Sequence, residues 1–497
     1  MKFRLTVLFP VLFSSICSFS QQELISSAMQ LKEFESTTML PVVDKKDNIH
    51  LFSISKSILD ESIINEIVYN PTTNTLLRKK HSKPDAISLK DISGLEITDN
   101  NLIGIYFHSK GKGIFNRITI GSEKGSIHQT FELKLKKEKV IQYISHKGKF
   151  TMLTVQRNGS TINCYSFDGV SYDKKSFDFN GERFYDKENK LTNLDQILNK
   201  NFMSTITTKT YNEPMRYSRY TKVFPDENGF TITLNHRKNG TRTLYLDLKN
   251  NLRTADYYNI PTAGFSSGDR LKANSFLHQD ILYSMITSKS EMVITLNKWN
   301  TKEKLKEFRF NSDDEQAFTL TEILDGEDKS SQMVNADRQQ AESSRSKKEM
   351  SMKKFLKLLI NTPFSGLSAS SEADAILLAV GGFMPPQQSS APMMMHGAPS
   401  IINTPAGMIT IQNFTPPIAI NGFKFGAFSY ERKLLLSKNN LELSPKKPTI
   451  SAQDKISYYL GNLKRVGLET SFQYHDDFML GYYDKKEKTY HLVQFTD

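Results

Sequence analysis

Cysteine is nearly absent from this chain of 497 residues: only Cys17 and Cys164 occur. Cys17 falls in an N-terminal leader, so the remaining chain has one cysteine and no internal disulfide. The fold must therefore hold by its core. Tryptophan is represented once, by Trp299. After Phe13 no apolar run reaches the roughly 18 residues that a membrane-spanning helix needs. Chemical signatures are also scarce. The ten histidines are dispersed and none forms H-E-x-x-H or a close pair suited to zinc. No calcium loop of the D-x-D-x-D-G type occurs. Gly264-Phe265-Ser266-Ser267-Gly268 matches the G-x-S-x-G elbow. An elbow needs a buried strand before it and a helix after it, and Asn259-Ile260-Pro261 and Asp269-Arg270-Leu271 supply neither. Asp476-Asp477 and Asp313-Asp314-Glu315 read as solvated turns. Cys164, between Ile162 and Tyr165, reads as a small buried residue. No cofactor and no metal are implied.

A leader is present. Lys2 and Arg4, an apolar run from Leu5 to Phe13 and a small-x-small end at Ser18-Phe19-Ser20 make residues 1–20 a signal peptide by pattern. The mature chain is expected to begin near Gln21, outside the cytoplasm: in the periplasm, the cell envelope or the extracellular space. That address removes nucleic acid from the expected partners. Ser14-Ser15-Ile16 lacks the small residues that lipid attachment at Cys17 would prefer. The formal charge of +12, or +10 without Lys2 and Arg4, comes with both signs mixed along the chain, as on an ordinary solvated surface.

A unit of four short strands recurs. In residues 139–179, strands at 140–144, 150–156, 161–168 and 172–179 are separated by His146-Lys147-Gly148-Lys149, Arg157-Asn158-Gly159-Ser160 and a third polar turn. Asn-Gly supplies the positive φ angles that tight hairpins need. Second strands start near 50, 102, 150, 230, 281 and 478, with a seventh candidate at Ala375 to Val380. A four-stranded unit of about 50 residues is the period of a β-propeller blade. The fold expected is all-β: a propeller of about seven four-stranded blades with short helical insertions, in one domain over 21–497. Insertions are expected at about 181–218 and 311–423. The chain ends in a third strand, so its fourth should come from the N-terminus, where 27–34 is available; closure removes the sheet edge. By these Asn-Gly hairpins and the insertion after the third blade, the chain resembles poorly characterised propeller-type proteins exported by Bacteroidota. The resemblance is one of pattern. Trp-Asp repeats, Kelch glycine doublets and sialidase boxes are missing, and it implies a fold but no activity.

Residues 375–423 hold no Asp, Glu, Lys or Arg and seven of the 17 prolines. Three readings compete for the uncharged Pro/Met-rich loop 384–407. It covers a face of the ring, stiffened by proline. It is an adhesive contact surface, with Met393, Met394, Met395, His396, Phe383 and Phe414 as contact residues. Or its methionines hold a soft ion, which adjacent side chains on an extended strand can hardly do together. Upstream, 325–348 reads as a polar linker and 350–360 as an amphipathic helix. Met352, Phe355, Leu356 and Leu359 share one face there and Lys353, Lys354 and Lys357 the other. That helix either packs on the ring or touches a membrane surface peripherally. A second helix is expected at 191–200. The function expected is an exported binding or scaffold protein of the envelope, holding a protein, peptide or glycan. The alternative is an enzyme on extracellular polysaccharide or peptide, its groups converging on the central channel.

Overall fold

A computed structural model describes residues 21–28, 39–56, 62–83, 92–109, 113–121, 126–186, 188–200, 203–206, 212, 214–235, 240–260, 265–266, 268–314, 319–320, 351–371, 375–384, 414–415, 428–444, 455–456, 459–460, 463, 466–475 and 477–496. Seven sheets of four or five strands follow one another along them. Blade 1 is Leu40–Val43, Ile49–Lys56, Ser62–Asn70 and Thr75–Lys83; blade 2 is Ile92–Ile97, Ile103–Ser109, Ile114–Ile120 and Ser126–Glu132. Blade 3 is Glu138–His146, Lys149–Gln156, Thr161–Asp168 and Ser171–Asp178. Blade 4 is Thr221–Pro225, Gly229–Leu234, Gly240–Asp247 and Leu252–Asn259, with Met203–Thr205 added in parallel inside it. Blade 5 is Lys272–His278, Ile281–Thr287, Glu291–Lys298 and Lys304–Asn311. Each is an antiparallel meander, the connectivity of a β-propeller. All seven second strands expected from the sequence are second strands here, down to Ala375–Met384 and Asp477–Asp484.

The ring closes as expected, with a shifted register. Gln21–Ala28 pairs antiparallel with Thr489–Phe495, from Gln21 opposite Phe495 to Ala28 opposite Thr489. The closing strand is thus 21–28 rather than 27–34. Ile25 carries it into the core shared by blades 7 and 1, with Ile49, Leu51, Phe472 and Tyr490. Blade 7 comprises Val466–Tyr474, Asp477–Asp484, Thr489–Phe495 and this strand, plus the short Phe414–Thr415 beside its first strand.

Blade 6 departs from the expected layout. The region read as one insertion, 311–423, contains its first two strands, Phe364–Ser371 and Ala375–Met384. Its third strand is Phe428–Ser437, and its outer edge is assembled from Thr319–Leu320 and a bridge from Leu443 to Leu436. Helices α1 (Leu194–Lys200) and α2 (Pro214–Tyr217) precede blade 4, and α3 (Met352–Asn361) precedes blade 6. Ser351 caps α3, accepting from Lys354 N. Met352, Phe355, Leu356 and Leu359 are buried in a core with Phe276, Tyr283 and Leu378. Lys272 of blade 5 donates to the C-terminal carbonyls of Leu359 and Thr362. The apolar face of α3 is therefore spent on the ring, which overturns a membrane-facing role for that face.

Neighbouring blades pack through apolar clusters. The junction of blades 2 and 3 is aromatic: Tyr106 and Phe150 centroids lie 4.6 Å apart, Phe150 and Phe167 4.8 Å. A Cβ on Gly94 would sit 2.0 Å from Phe150, so only glycine lets these blades meet. In the same junction Glu96 accepts from Tyr106 and from Gly169 N and pairs with Arg117 at 3.4 Å.

Candidate functional site

The meander gives the ring two unlike rims. One carries the turns between first and second and between third and fourth strands, none longer than five residues. The other carries the second-to-third turns and the passages between blades. Three long insertions leave from that second rim: 179–220, 312–363 and 385–427.

The short-turn rim is tied from blade to blade. Asn101 of blade 2 donates to Asp44 of blade 1 at 2.8 Å, and Lys45 N donates back to Asn101 Oδ1 at 2.8 Å. Ile97 N meets Gly148 O of blade 3 at 2.8 Å, and Lys147 meets Glu227 of blade 4 at 2.9 Å. Gln279 of blade 5 donates to Ser371 of blade 6 at 2.7 Å. Tyr474 and His475 of blade 7 reach Asp47. Lys147-Gly148 and Gln279-Asp280 hold positive φ at both positions, the geometry of two-residue hairpins. Asp44 is the densest knot: it accepts from Lys46 N, Asn48 N, Asn48 Nδ2 and Asn101, and meets His50 Nε2 at 3.1 Å. Burial opposes its charge, but these bonds outweigh burial and hold its pKa far below the usual carboxylate range. His50 also meets Glu66 at 2.7 Å; burial lowers its pKa, the two carboxylates raise it, and the net is upward.

The insertion rim is open where the tied rim is knotted. Residues 179–200 fold back over the edge of blade 4. Asn158 N donates to Asp195 at 3.0 Å and Leu194 N to Ser160 Oγ at 3.1 Å, so the Asn158-Gly159-Ser160 turn anchors α1. Phe184–Tyr185 pairs with Leu191–Thr192 beside it. Between this flap and blade 4 lies a cavity of about 270 Å³. Phe184, Ile197 and Leu234, all buried, form its apolar wall. Arg183, Tyr185, Arg242 and Tyr257 bring polar groups. Arg242 pairs with Glu182 and lies 5.7 Å from the Phe184 ring centroid. Its Nε–H is buried without a hydrogen-bond partner among the described residues. Gly240 forms the floor: a Cβ there would lie 2.2 Å from the Tyr257 hydroxyl. The cleft can therefore offer cationic donors against an apolar wall.

The inner strands are different again. They carry small polar side chains, among them Ser93, Gln142, Thr205, Asn274, Ser275, Ser365 and Ser368, all buried. Lys222 is fully buried and donates to Asn274 Oδ1 at 2.6 Å and Ser275 O at 2.8 Å. Asn235 links Thr241 (2.8 Å) and Ser275 (2.9 Å) beside it. Burial drives the Lys222 amine well below the usual lysine range. Glu96 and Lys222, charged residues of these strands, are thus committed to internal partners. Among the described residues no three His, Cys, Asp or Glu could hold a metal ion, and no helix is long and apolar enough to cross a membrane.

Of the contact residues expected from the sequence, Met393, Met394, Met395 and His396 lie outside the described residues. Phe414 is brought into blade 7, opposite Phe472. Phe383 is 6% exposed and opposite Ser429 within blade 6, so it is a packing residue and not part of an exposed contact face. Ser266 sits in a turn closed by Asp269, its N donating to Asp269 Oδ2 at 2.9 Å, with no elbow geometry. Sequence reasoning missed Arg183, Tyr185, Arg242 and Tyr257. Only the placing of an insertion near 181–218 pointed towards them.

No family model matches the chain, and no curated protein does. Among solved structures it is similar to the Dos1 propeller, at 7% identity and a TM-score of 0.34, covering 96% of each chain. The WD40 domain of SCAP from fission yeast is 10% identical with a TM-score of 0.26, over 96% of this chain and 95% of that one. A mutant of Synechocystis apocarotenoid oxygenase is 10% identical with a TM-score of 0.27, over 53% of this chain and 58% of that one. The chain spans less than two thirds of the oxygenase structures that it matches. At such scores the propeller assignment rests on the strand connectivity itself.

Proposed function

We propose that this chain is an exported binding or scaffold protein of the cell envelope, and that its insertion rim is the recognising face. One observation carries the reading: the long insertions and the Arg242 cleft share a rim, while the opposite rim is consumed by turn-to-turn bonds. Loops on a rigid scaffold are where binding residues concentrate. Export is supported by the pattern of residues 1–20. The strands that flank the uncharged loop 384–407 open onto the same rim, and in this reading the loop adds contact area to the recognising face.

Two measurements test the proposal. Fractionation of cells expressing the full chain, with N-terminal sequencing, should yield exported protein starting at Gln21; uncleaved protein confined to the cytoplasm overturns export. Immobilised mature protein is then incubated with envelope extract. An Arg183→Gln/Arg242→Gln variant and a deletion of 386–404 should each lose retained material that Lys45→Ala, on the tied rim, keeps. Equal retention by all three overturns the recognising face.

A further inference from the structure

We infer that the cleft between residues 182–197 and blade 4 captures the C-terminal residue of a peptide, its carboxylate on Arg242 and its apolar side chain against Phe184, Ile197 and Leu234. This rests on the reading of the insertion rim as the binding face and assigns the chemistry of one site on it.

Size argues first. A volume of about 270 Å³ lies just below the ~300 Å³ at which pockets begin to hold whole drug-sized ligands. It suits one residue-sized group at the end of something longer. Charge argues second. Two arginines, Arg183 and Arg242, line the cleft, and Glu182 pairs with Arg242, so these three side chains leave a net positive charge. Glu182 occupies Nη2 of Arg242, and among the described residues the buried Nε–H has no partner. An unpaired buried donor is costly, and a carboxylate oxygen is the acceptor that a guanidinium edge fits best. The Phe184 ring under the guanidinium fixes its plane. The wall argues third. Phe184, Ile197 and Leu234 present carbon to the ligand. An acidic sugar would bring several hydroxyls to that surface and leave them unpaired. A leucine- or phenylalanine-like side chain loses nothing there. Capture of a chain-terminal carboxylate is also an established mode of peptide recognition.

The experiment uses the mature chain and three probes followed by ligand-observed NMR titration: N-acetyl-L-phenylalanine, its C-terminal amide, and D-glucuronate. The acid should bind at least tenfold more tightly than the amide and than glucuronate. Arg242→Gln should erase the preference for acid over amide. Arg183→Gln, at an exposed position, should weaken the acid two- to fivefold and guards against misfolding of the first variant. Equal binding of acid and amide overturns the carboxylate assignment while leaving the cleft a binding site. Tighter binding of glucuronate overturns the peptide and transfers the cleft to an acidic glycan. Binding of none of the probes, with envelope retention still lost in the double variant, overturns this inference alone. Binding of none with retention unchanged overturns the binding face as well.

Discussion

The two rims of this ring are built from the same strands and use them oppositely. On the short-turn rim, among the described residues, turns spend their polar groups on a neighbouring blade at five of the seven junctions: Asn101 on Asp44, Ile97 on Gly148, Lys147 on Glu227, Gln279 on Ser371, and Tyr474 on Asp47. On the insertion rim, three long insertions depart from the blades, and among the described residues a buried guanidinium N–H has no partner. Stability and recognition are thus divided between the ends of the strands. Unsatisfied or strained groups persist where a structure is over-determined elsewhere, and here the over-determination is the tied rim. The comparison predicts that damage at the tied rim costs folding and damage at the insertion rim costs binding.

The largest expected effect comes from opening the ring itself. Deleting 21–28 removes Ile25 from the core of blades 7 and 1 and bares the edge of Thr489–Phe495. An exposed sheet edge templates association. The expected loss exceeds about 4 kcal/mol: non-cooperative melting by circular dichroism and aggregation on size exclusion. A monodisperse variant with an unchanged melting temperature would refute closure as the source of rigidity.

Much of this architecture was legible in the sequence, and the misses share a physical cause. Second strands are buried on both faces, as in Lys149–Gln156 and Ile281–Thr287, so they read as apolar runs. Outer strands are half exposed, like Ser171–Asp178, and their weak pattern let 27–34 stand in for 21–28. The third strand of blade 6 was missed because Glu431, Arg432 and Lys433 stand in its middle. These charges are buried on partners from distant segments: Tyr217 donates to Glu431 at 2.9 Å, and Arg432 lies over Phe355. The cleft left no local motif, since 183–185, 197, 234, 240, 242 and 257 contribute separately.

Within the tied rim, Asp44→Asn should cost about 2 kcal/mol, because several partly buried donors lose a charged acceptor. The pH dependence has a definite sign. The carboxyl of Asp44 is held low, so its contribution is present above the unfolded value of about 4 and is lost as pH falls. His50 is raised, so its contribution is complete below about 6.5 and fades as pH climbs through the folded value. Denaturant melts should show the wild-type advantage greatest between about pH 4 and 6.5. A difference from Asp44→Asn that shrinks neither below about pH 4 nor at pH above the folded His50 value would remove the Asp44–His50 pair from the account.

Under the insertion rim, blades 4 and 5 meet through Lys222, Asn235, Thr241, Asn274 and Ser275. Lys222→Met leaves Asn274 Oδ1 and Ser275 O unpaired, an expected cost of about 1–2 kcal/mol. Because the folded amine is held low, the unfolded chain binds an extra proton from that low value up to about 10.4. Wild-type stability should therefore gain up to ~1.4 kcal/mol per pH unit from this group. Lys272, pushed down to about 8, adds the same sign in both proteins. Urea melts at pH 7 and 9 should show the gap widening; a constant gap would mean that Lys222 stays charged inside.

The smallest effect on stability should come from the cleft, and that smallness is the sharpest form of the comparison. Among the described residues Arg242 pairs only with Glu182, whose side chain is 32% exposed, and such pairs contribute about 0–1 kcal/mol. Replacing Arg242 by Gln also removes a buried donor that no described residue satisfies, which offsets part of the loss. The variant should melt within about 1 kcal/mol of wild type while losing its preference for acid over amide probes. Asp44→Asn should do the reverse, losing stability and keeping ligand preference. If Arg242→Gln unfolds the chain as readily as Asp44→Asn does, the cleft belongs to the scaffold, and the division between rims dissolves.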